Sequence, residues 1–161
     1  LHFTSNGTTA KAKENIDAYR QAFAAHGRPA HPKPEFPGGL AVGTLRHIVV
    51  AETDEEALKI AAPSIEYHCR HLNWLRKRHG QTEFTNRLGI HREEDFGSWQ
   101  RVGMAIAGSP ETVAAELEAQ IGALGINYLI AYLFFGTMTA AEAGRSLELY
   151  ASEVMPRLAA L

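Results

Sequence analysis

Apolar residues recur at helical spacing near the start of the chain. The pattern predicts an amphipathic helix over residues 9–26 that ends at Gly27. Its apolar positions are Ile16, Tyr19, Ala22 and Phe23. The next segment, residues 28–39, holds four prolines and two glycines, which cannot sustain a regular element. We predict an extended connector there.

Two nearly continuous apolar runs follow farther along the chain. Residues 41–51, AVGTLRHIVVA, are rich in β-branched side chains, and residues 126–135, INYLIAYLFF, are similar. Such runs are typical of strands that are covered on both faces in a parallel sheet. Residues 101–108, RVGMAIAG, predict a third and shorter strand, although two glycines weaken the pattern.

Each later helix has a capping signal at its start. The signals are Thr53 with Glu56, Ser109 followed by Pro110, and Thr139 with Glu142. Pro63 either kinks the first of these helices or starts another one, and Gly125 ends the second. The last helix is predicted to run to about Leu149 or beyond, toward Pro156. Residues 81–100 are polar and weakly periodic, and are predicted to be mostly loop with one helical turn.

The alternation of buried strands with amphipathic helices predicts an α/β domain with a parallel sheet and right-handed crossovers. The 161 residues, 45% hydrophobic and 21% charged, suffice for a single domain over residues 1–161. No Gly-rich phosphate fingerprint follows a strand, which disfavours a dinucleotide-binding doubly wound sheet.

Charge and cysteine content narrow the class of partner. A formal net charge of -2, with both signs mixed along the chain, disfavours nucleic-acid binding. No apolar run reaches the roughly 20 residues of a membrane span. The single Cys69 allows no internal disulfide and fits a cytoplasmic location. Because the first residue is Leu1 rather than methionine, we expect the chain to begin inside a longer one.

Three segments resemble signatures of the luciferase-like monooxygenases, which are flavin-dependent (β/α)8 barrels. They are RHIVVAETDEEAL, GSPETVAAEL and RSLELYASEVMPRL, in the order of the family. The resemblance implies a partial (β/α)8 TIM barrel made of C-terminal strand-helix units with parallel strands. A closed barrel needs eight strands and about 250 residues. The chain is therefore expected to be the C-terminal half of such a barrel, as a fragment or as a shortened relative.

The resemblance also implies a chemistry. Reduced FMN, supplied by a flavin reductase, would react with oxygen and insert one atom into a small organic substrate; a deazaflavin coenzyme is the alternative within the superfamily. Most flavin contacts of relatives come from earlier strands, so the isolated chain is expected to be inactive. A second hypothesis is a noncatalytic module that forms a homo-oligomer or binds a protein partner, such as the missing N-terminal half, through its open sheet edge.

His47 is the candidate catalytic residue. Strand alternation groups it with Leu45 and Val49, opposite Arg46 and Ile48. In the alkanesulfonate-oxidising branch of the family, a histidine at a similar strand position faces the active site. If His47 points into the barrel, it can hydrogen-bond a flavin–oxygen intermediate or a substrate anion. The alternative is a core histidine with satisfied hydrogen bonds, or one that lies against the outer helices.

Other candidates lie at the end of the last predicted strand. Phe134, Phe135 and Gly136 are candidate cofactor-binding residues, because barrel enzymes place active-site groups at the carboxyl ends of strands. The alternative is that the aromatic rings close the core. Arg46 matches an arginine that is common in the family and is interpreted as structural.

Two further patterns are given structural interpretations. His68 and His71 lie three residues apart, but two imidazoles without a third ligand make a poor metal site. No metal is therefore predicted. Ser109 precedes a helix whose N-terminus can bind phosphate, but its capping role explains the residue.

Overall fold

The computed structural model describes residues 2–26, 35–36, 40–80 and 95–161. Within them the strands alternate with helices, so the chain is an α/β protein. The elements are β1 (His2–Ser5), α1 (Thr9–His26), β2 (Ala41–Val50), α2 (Asp54–Arg78), α3 (Phe96–Arg101), β3 (Ala105–Gly108), α4 (Pro110–Leu124), β4 (Tyr128–Tyr132) and α5 (Ala140–Leu149). A π-helical turn, Tyr150–Val154, then joins α5 to α6 (Met155–Leu158).

The strand β2 is the centre of a parallel sheet, and each other described strand pairs with it. His47 is in register with Ala105 of β3 and with Tyr132 of β4, so these two strands lie on opposite edges of β2. Thr44 pairs with both β1 and β4, which places β1 on the same edge as β3. The described sheet is thus at most three strands wide at any level, with β1 and β3 on the same edge of β2.

The two faces of β2 support two separate apolar clusters. The His47 face, which carries Val49, packs against α2 and α3. The Arg46 face, which carries Ile48 and Val50, packs against α4 and α5. The predicted alternation of side chains is confirmed by this division.

Local sequence explains where several elements begin and end. Ser109 accepts a hydrogen bond from the amide of Thr112, as predicted for the N-cap of α4, and Gly125 ends this helix with φ 60°. The Thr139–Glu142 capping box is present with both of its reciprocal bonds. At Thr53 the side chain accepts from the amide of Glu56, so the predicted cap is observed at the start of α2.

Three features differ from the sequence-based expectation. β1 was not predicted. Of the two alternatives for Pro63, the start of a second helix is wrong: α2 is continuous through this proline, and buried residues on both sides of it, Ala61 and Ile65, pack in one cluster. β4 is not covered on both faces. Its residues Leu129 and Ala131 pack on the core, whereas Ile130 is 42% exposed.

Two predicted segments fall largely outside the described residues. They are the extended connector over residues 28–39 and the loop over residues 81–100. Within the described ranges, no helix is both long and apolar enough to cross a membrane.

Candidate functional site

His47 lies at the middle of the sheet, where three strands meet. Its amide donates to the carbonyl of Met104 at 3.1 Å, which fixes the backbone just before β3 begins. Its side chain is 6% exposed and points to the face that α2 and α3 cover. Because it is level with Tyr132, the last residue of β4, it lies at the carboxyl end of that neighbouring strand.

Four aromatic side chains surround the imidazole of His47, and we call them the aromatic box. Their ring centroids lie 4.9 to 5.2 Å from the centroid of His47, and they come from four different segments. The rings are His68 of α2, Trp99 of α3, Tyr132 of β4 and Phe135 of the segment after β4. Trp99 and Phe135 meet His47 edge to face, at interplanar angles of 86° and 79°.

Three buried nitrogen atoms of this site have no hydrogen-bond partner among the described residues. They are Nδ1 and Nε2 of His47 and Nε1 of Trp99. Most buried polar side-chain atoms in proteins are paired, and leaving one unpaired costs about 1–3 kcal/mol. Three such atoms at one place therefore mark the site as one that packing and stability alone do not explain.

The electrostatic environment keeps His47 neutral. Burial lowers the pKa of His47 from 6.5 to about 3, and the nearby His68 and Arg46 lower it further, against the opposite effect of the Met104 backbone on the imidazole. Burial also lowers the pKa of His68, with a contribution from Arg76. A neutral imidazole offers one N–H donor and one acceptor nitrogen. His47 is therefore suited to hydrogen bonding with a neutral group at ordinary pH.

The structure brings only some of the predicted site residues together. Phe135 is buried and contacts His47, whereas Phe134, 59% exposed, points away from the aromatic box. Gly136 has φ +62°, and a Cβ there would lie 1.9 Å from the carbonyl oxygen of Ser64. The glycine thus lets the segment after β4 approach the backbone of α2 closely. This contact seats Phe135 beside His47.

Arg46 has a different environment on the opposite face of β2. It is 0% exposed, and its Nε donates to Oε1 of Gln120 at 2.7 Å. Gln120 in turn donates to the carboxylate of Glu116 at 2.8 Å. Burial lowers the pKa of Arg46 to about 10, so it stays charged at neutral pH. Its remaining acceptors are Gly7, Thr9, Thr44 and Leu45.

An open cleft of about 640 Å³ is lined by two hydrogen-bond partners of Arg46 and not by His47. Thr9, Gly103 and Gln120 line it, together with the acidic Glu116. Because the guanidinium of Arg46 is already bonded to the lining residue Gln120, it is not directed into the cleft. The network supports the structural interpretation of Arg46.

The N-terminus of α4 is occupied by a side chain of the same protein. Oδ1 of Asp54 accepts from the amide of Ser109 at 2.7 Å, and Oδ2 accepts from the hydroxyl of Thr112 at 3.1 Å. These bonds lower the pKa of the Asp54 carboxyl, the backbone bond from Ser109 most. The position where a phosphate would bind is thus filled by a carboxylate.

Sequence reasoning missed three members of the aromatic box. His68 was considered only as half of a metal pair with His71, and no metal-binding group of three or more ligands occurs in the described part of the chain. The buried stripe of α2, which includes Ala61, Ile65 and Cys69, was a signal that placed His68 near the sheet. Trp99 lies in a segment without periodicity and gave no comparable signal.

Comparison with solved structures shows the fold. The oxygenating component of 3,6-diketocamphane monooxygenase from Pseudomonas putida, solved with FMN, matches 96% of this chain with a TM-score of 0.64 and 22% identity. A monooxygenase from Streptomyces bottropensis and the EDTA monooxygenase of Chelativorans sp. BNC1 each match 98% with a TM-score of 0.59 and 16% identity. The chain covers only 42%, 42% and 39% of these three chains, respectively.

Sequence comparison agrees with the fold. No curated protein matches the chain in sequence. The family model of the luciferase-like monooxygenases matches residues 1–128. This range includes β2 and α4, which carry the first two signature segments, while the third segment lies beyond it. The chain belongs to the luciferase-like monooxygenase family and is similar to part of the barrel of its solved members.

Proposed function

We propose that this chain forms the His47-bearing wall of the active site of a flavin-dependent monooxygenase that acts on a small organic substrate. The observation that carries the proposal is the set of unpartnered buried nitrogens of His47 and Trp99 inside the aromatic box. Family membership supplies the reaction class. In that reaction one atom of oxygen enters the substrate, the other leaves as water, and reduced FMN is oxidised.

The described residues fit the uncharged ring system of FMN better than its phosphate. The aromatic box offers apolar walls and the N–H groups of His47 and Trp99, which suit a neutral planar molecule. The anion site at the start of α4 holds Asp54. We therefore assign the phosphate contacts to the larger part of the enzyme that this chain does not span.

The side chains of this chain would have two tasks in the whole enzyme. The rings of the aromatic box exclude water from the reacting groups, which strengthens hydrogen bonds inside the site. His47, held neutral by burial, donates or accepts one hydrogen bond without adding charge. FMN supplied by a reductase is the proposed cofactor, and a deazaflavin is the alternative. The cytoplasmic location stays a prediction.

A flavin titration of matched variants tests this proposal. Oxidised and reduced FMN are added to the chain, and binding is followed by flavin fluorescence. Phe135→Leu removes a ring of the aromatic box and should weaken binding about five- to tenfold, since an aromatic contact contributes about 0.5–1.5 kcal/mol. Phe134→Leu removes the exposed ring next to it and should leave binding unchanged.

Two results would contradict the proposal. One is equal binding by both variants, which would place the flavin away from the aromatic box. The other is no binding at about 100 times a typical micromolar dissociation constant, for which the expected stabilisation of about 2.7 kcal/mol would be absent. In the second case the aromatic box would contribute too little to flavin binding for the proposed role.

The exposed side of β4 supports a second candidate function, self-association. Ile130, Tyr132 and Phe134 are 42%, 39% and 59% exposed and stand on or just after one strand. An uncovered apolar strand of this kind is typical of a protein interface. Light scattering of the chain should then give a mass above that of the 17.7 kDa monomer. Ile130→Lys should restore the monomer, whereas a monomeric parent chain would exclude this candidate.

A further inference from the structure

The turn between β1 and α1 contains the one asparagine of the sequence that is followed by glycine, Asn6 before Gly7. The side chain of Asn6 is exposed and forms no hydrogen bond with any described residue. The peptide group that joins Asn6 to Gly7 is likewise not hydrogen-bonded to the described part of the chain. Because nothing holds either group in place, the side chain and the peptide can turn toward each other.

Two other asparagines of the described chain have the opposite environment. The side-chain nitrogens of Asn15 and Asn127 donate to oxygen atoms of the protein at 3.1 Å and 2.7 Å, respectively. Asn15 is followed by an isoleucine and Asn127 by a tyrosine, whose Cβ atoms crowd the backbone nitrogen. Gly7 has no Cβ, so its nitrogen is the least hindered of the three. Asn6 therefore combines a free side-chain amide with an accessible backbone nucleophile.

We propose that Asn6 is a site of spontaneous deamidation in the folded protein, with the backbone nitrogen of Gly7 as the nucleophile. Asparagine is among the thermolabile residues of proteins. The nitrogen of Gly7 loses its proton to hydroxide and forms a bond to Cγ of Asn6. The bond from Cγ to the side-chain nitrogen then breaks, ammonia leaves, and a succinimide ring remains. Water opens this ring at either carbonyl and gives aspartate or isoaspartate. The reaction consumes water, releases ammonia and needs no oxidant or cofactor.

The isoaspartyl product would disturb the buried hydrogen bonds of Arg46. Gly7 is buried, and its carbonyl accepts from Nη1 of Arg46 at 3.2 Å. Isoaspartate continues the chain through its side-chain carbon, which adds a methylene to the backbone and displaces the glycine that follows. The aspartyl product keeps the backbone length and adds an exposed negative charge just before α1, where such a charge is favourable. Only the isoaspartyl product should therefore destabilise the protein.

Ageing of the folded chain tests the proposal. The chain is incubated at mildly alkaline pH, and its peptides are examined by mass spectrometry for replacement of the side-chain NH₂ by OH. Isoaspartate is detected with an isoaspartyl methyltransferase. We expect the modification at Asn6 before Asn15 and Asn127 react. Asn6→Gln is the matched control, because the exposed side chain keeps its amide but has to close a larger ring. This variant should show no modification at the same incubation time.

Urea denaturation of the separated products tests the consequence for Arg46. The isoaspartyl form is compared with the parent chain and with Asn6→Asp, which carries the same new charge on an unchanged backbone. Loss of one hydrogen bond to a charged group should lower the ratio of folded to unfolded chain about tenfold in the isoaspartyl form. Asn6→Asp should keep a midpoint close to that of the parent chain.

Two results would overturn the proposal. One is a rate of deamidation at Asn6 in the folded chain that is no higher than at Asn15 or Asn127. The other is a reaction that occurs only when the chain is unfolded in urea. If the isoaspartyl form unfolds at the same urea concentration as Asn6→Asp, the effect on Arg46 is wrong. None of these measurements uses a flavin, so the result does not depend on the proposed function.

Discussion

Arg46 and His47 are neighbours in β2, yet their buried polar groups have opposite environments. Arg46 carries a charge, is completely buried, and bonds to Gln120 and to oxygens of its surroundings. His47 is neutral, nearly as buried, and leaves both ring nitrogens without partners in the described structure. Burial alone therefore does not separate a structural side chain from a functional one. In this pair, the two side chains differ instead in the completeness of their hydrogen bonds.

The difference has an energetic meaning. A fully bonded buried group stabilises one conformation, and removing it leaves its partners unpaired. An unpartnered group lowers stability in the free protein and is compensated only when a ligand supplies its hydrogen bonds. On this argument the Arg46 face holds the fold together, and the His47 face is the proposed ligand site.

The largest expected effect comes from Arg46→Met. This change keeps the apolar stem but leaves the bonded oxygens of Gln120 and Leu45 without their donor. We expect the free energy of unfolding to fall by about 3–5 kcal/mol, as measured by urea denaturation. Arg145→Met is the control, since its pair with Glu52 is exposed and should leave the midpoint nearly unchanged. A loss no larger than that of the control would contradict the structural role of Arg46.

The contrast between the two faces was partly predictable. Strand alternation separated His47 from Arg46, and capping residues such as Ser109 located the helices, because both signals are local in sequence. The aromatic box was not predictable in this way. Its rings come from four segments that only the folded sheet brings together, and Trp99 lies in a region without helical periodicity. Phe134 and Phe135 are equivalent in sequence but differ in exposure, which depends on the seating of Gly136 against α2.

The strands show the same limit. The apolar run around Ile130 matches the pattern of a strand that is covered on both faces, and no local sequence pattern indicates that one face is exposed. β1 was missed because its four residues are too few to show a period, and its pairing with Ala41 depends on a contact distant in sequence. The positions of helices and strands along the sequence were therefore largely predictable, whereas the faces that pack against other elements were not.

Lowering the pH should reduce the free energy of unfolding through His47, whereas Arg46 stays charged. The folded pKa of His47, about 3, lies below its value of 6.5 when unfolded. Between these pH values the unfolded chain binds more protons than the folded chain. The contribution of neutral His47 to the free energy of unfolding is therefore present in full above pH 6.5 and is lost as the pH falls toward 3. At about 1.4 kcal/mol per pH unit, we expect a loss of up to about 2–3 kcal/mol between pH 6.5 and 4.5.

Denaturation of the parent chain and of His47→Leu at each pH measures this loss. The variant should lose most of the pH dependence, and the remainder is assigned to His68, whose pKa is also lowered by burial. Carboxyl groups such as that of Asp54 have lowered pKa values and titrate at lower pH. An unchanged slope in the variant would mean that His47 is not the group that takes up the proton.

The smallest effect expected is also the most informative, because its sign distinguishes the two interpretations of His47. At pH 7, His47→Leu replaces an imidazole by an apolar side chain of similar size and removes two unpartnered nitrogens. We expect the free energy of unfolding to rise by about 1 kcal/mol, since the removed desolvation cost of about 1–3 kcal/mol exceeds the lost ring contacts. Phe135→Leu is the control, because it removes a ring of the aromatic box without removing a polar atom and should lower stability. If His47→Leu also lowers stability, by as much as the control, then the imidazole is hydrogen-bonded in solution and His47 is a core histidine. A gain in stability from deleting His47 instead indicates that the protein retains this residue for binding rather than for folding.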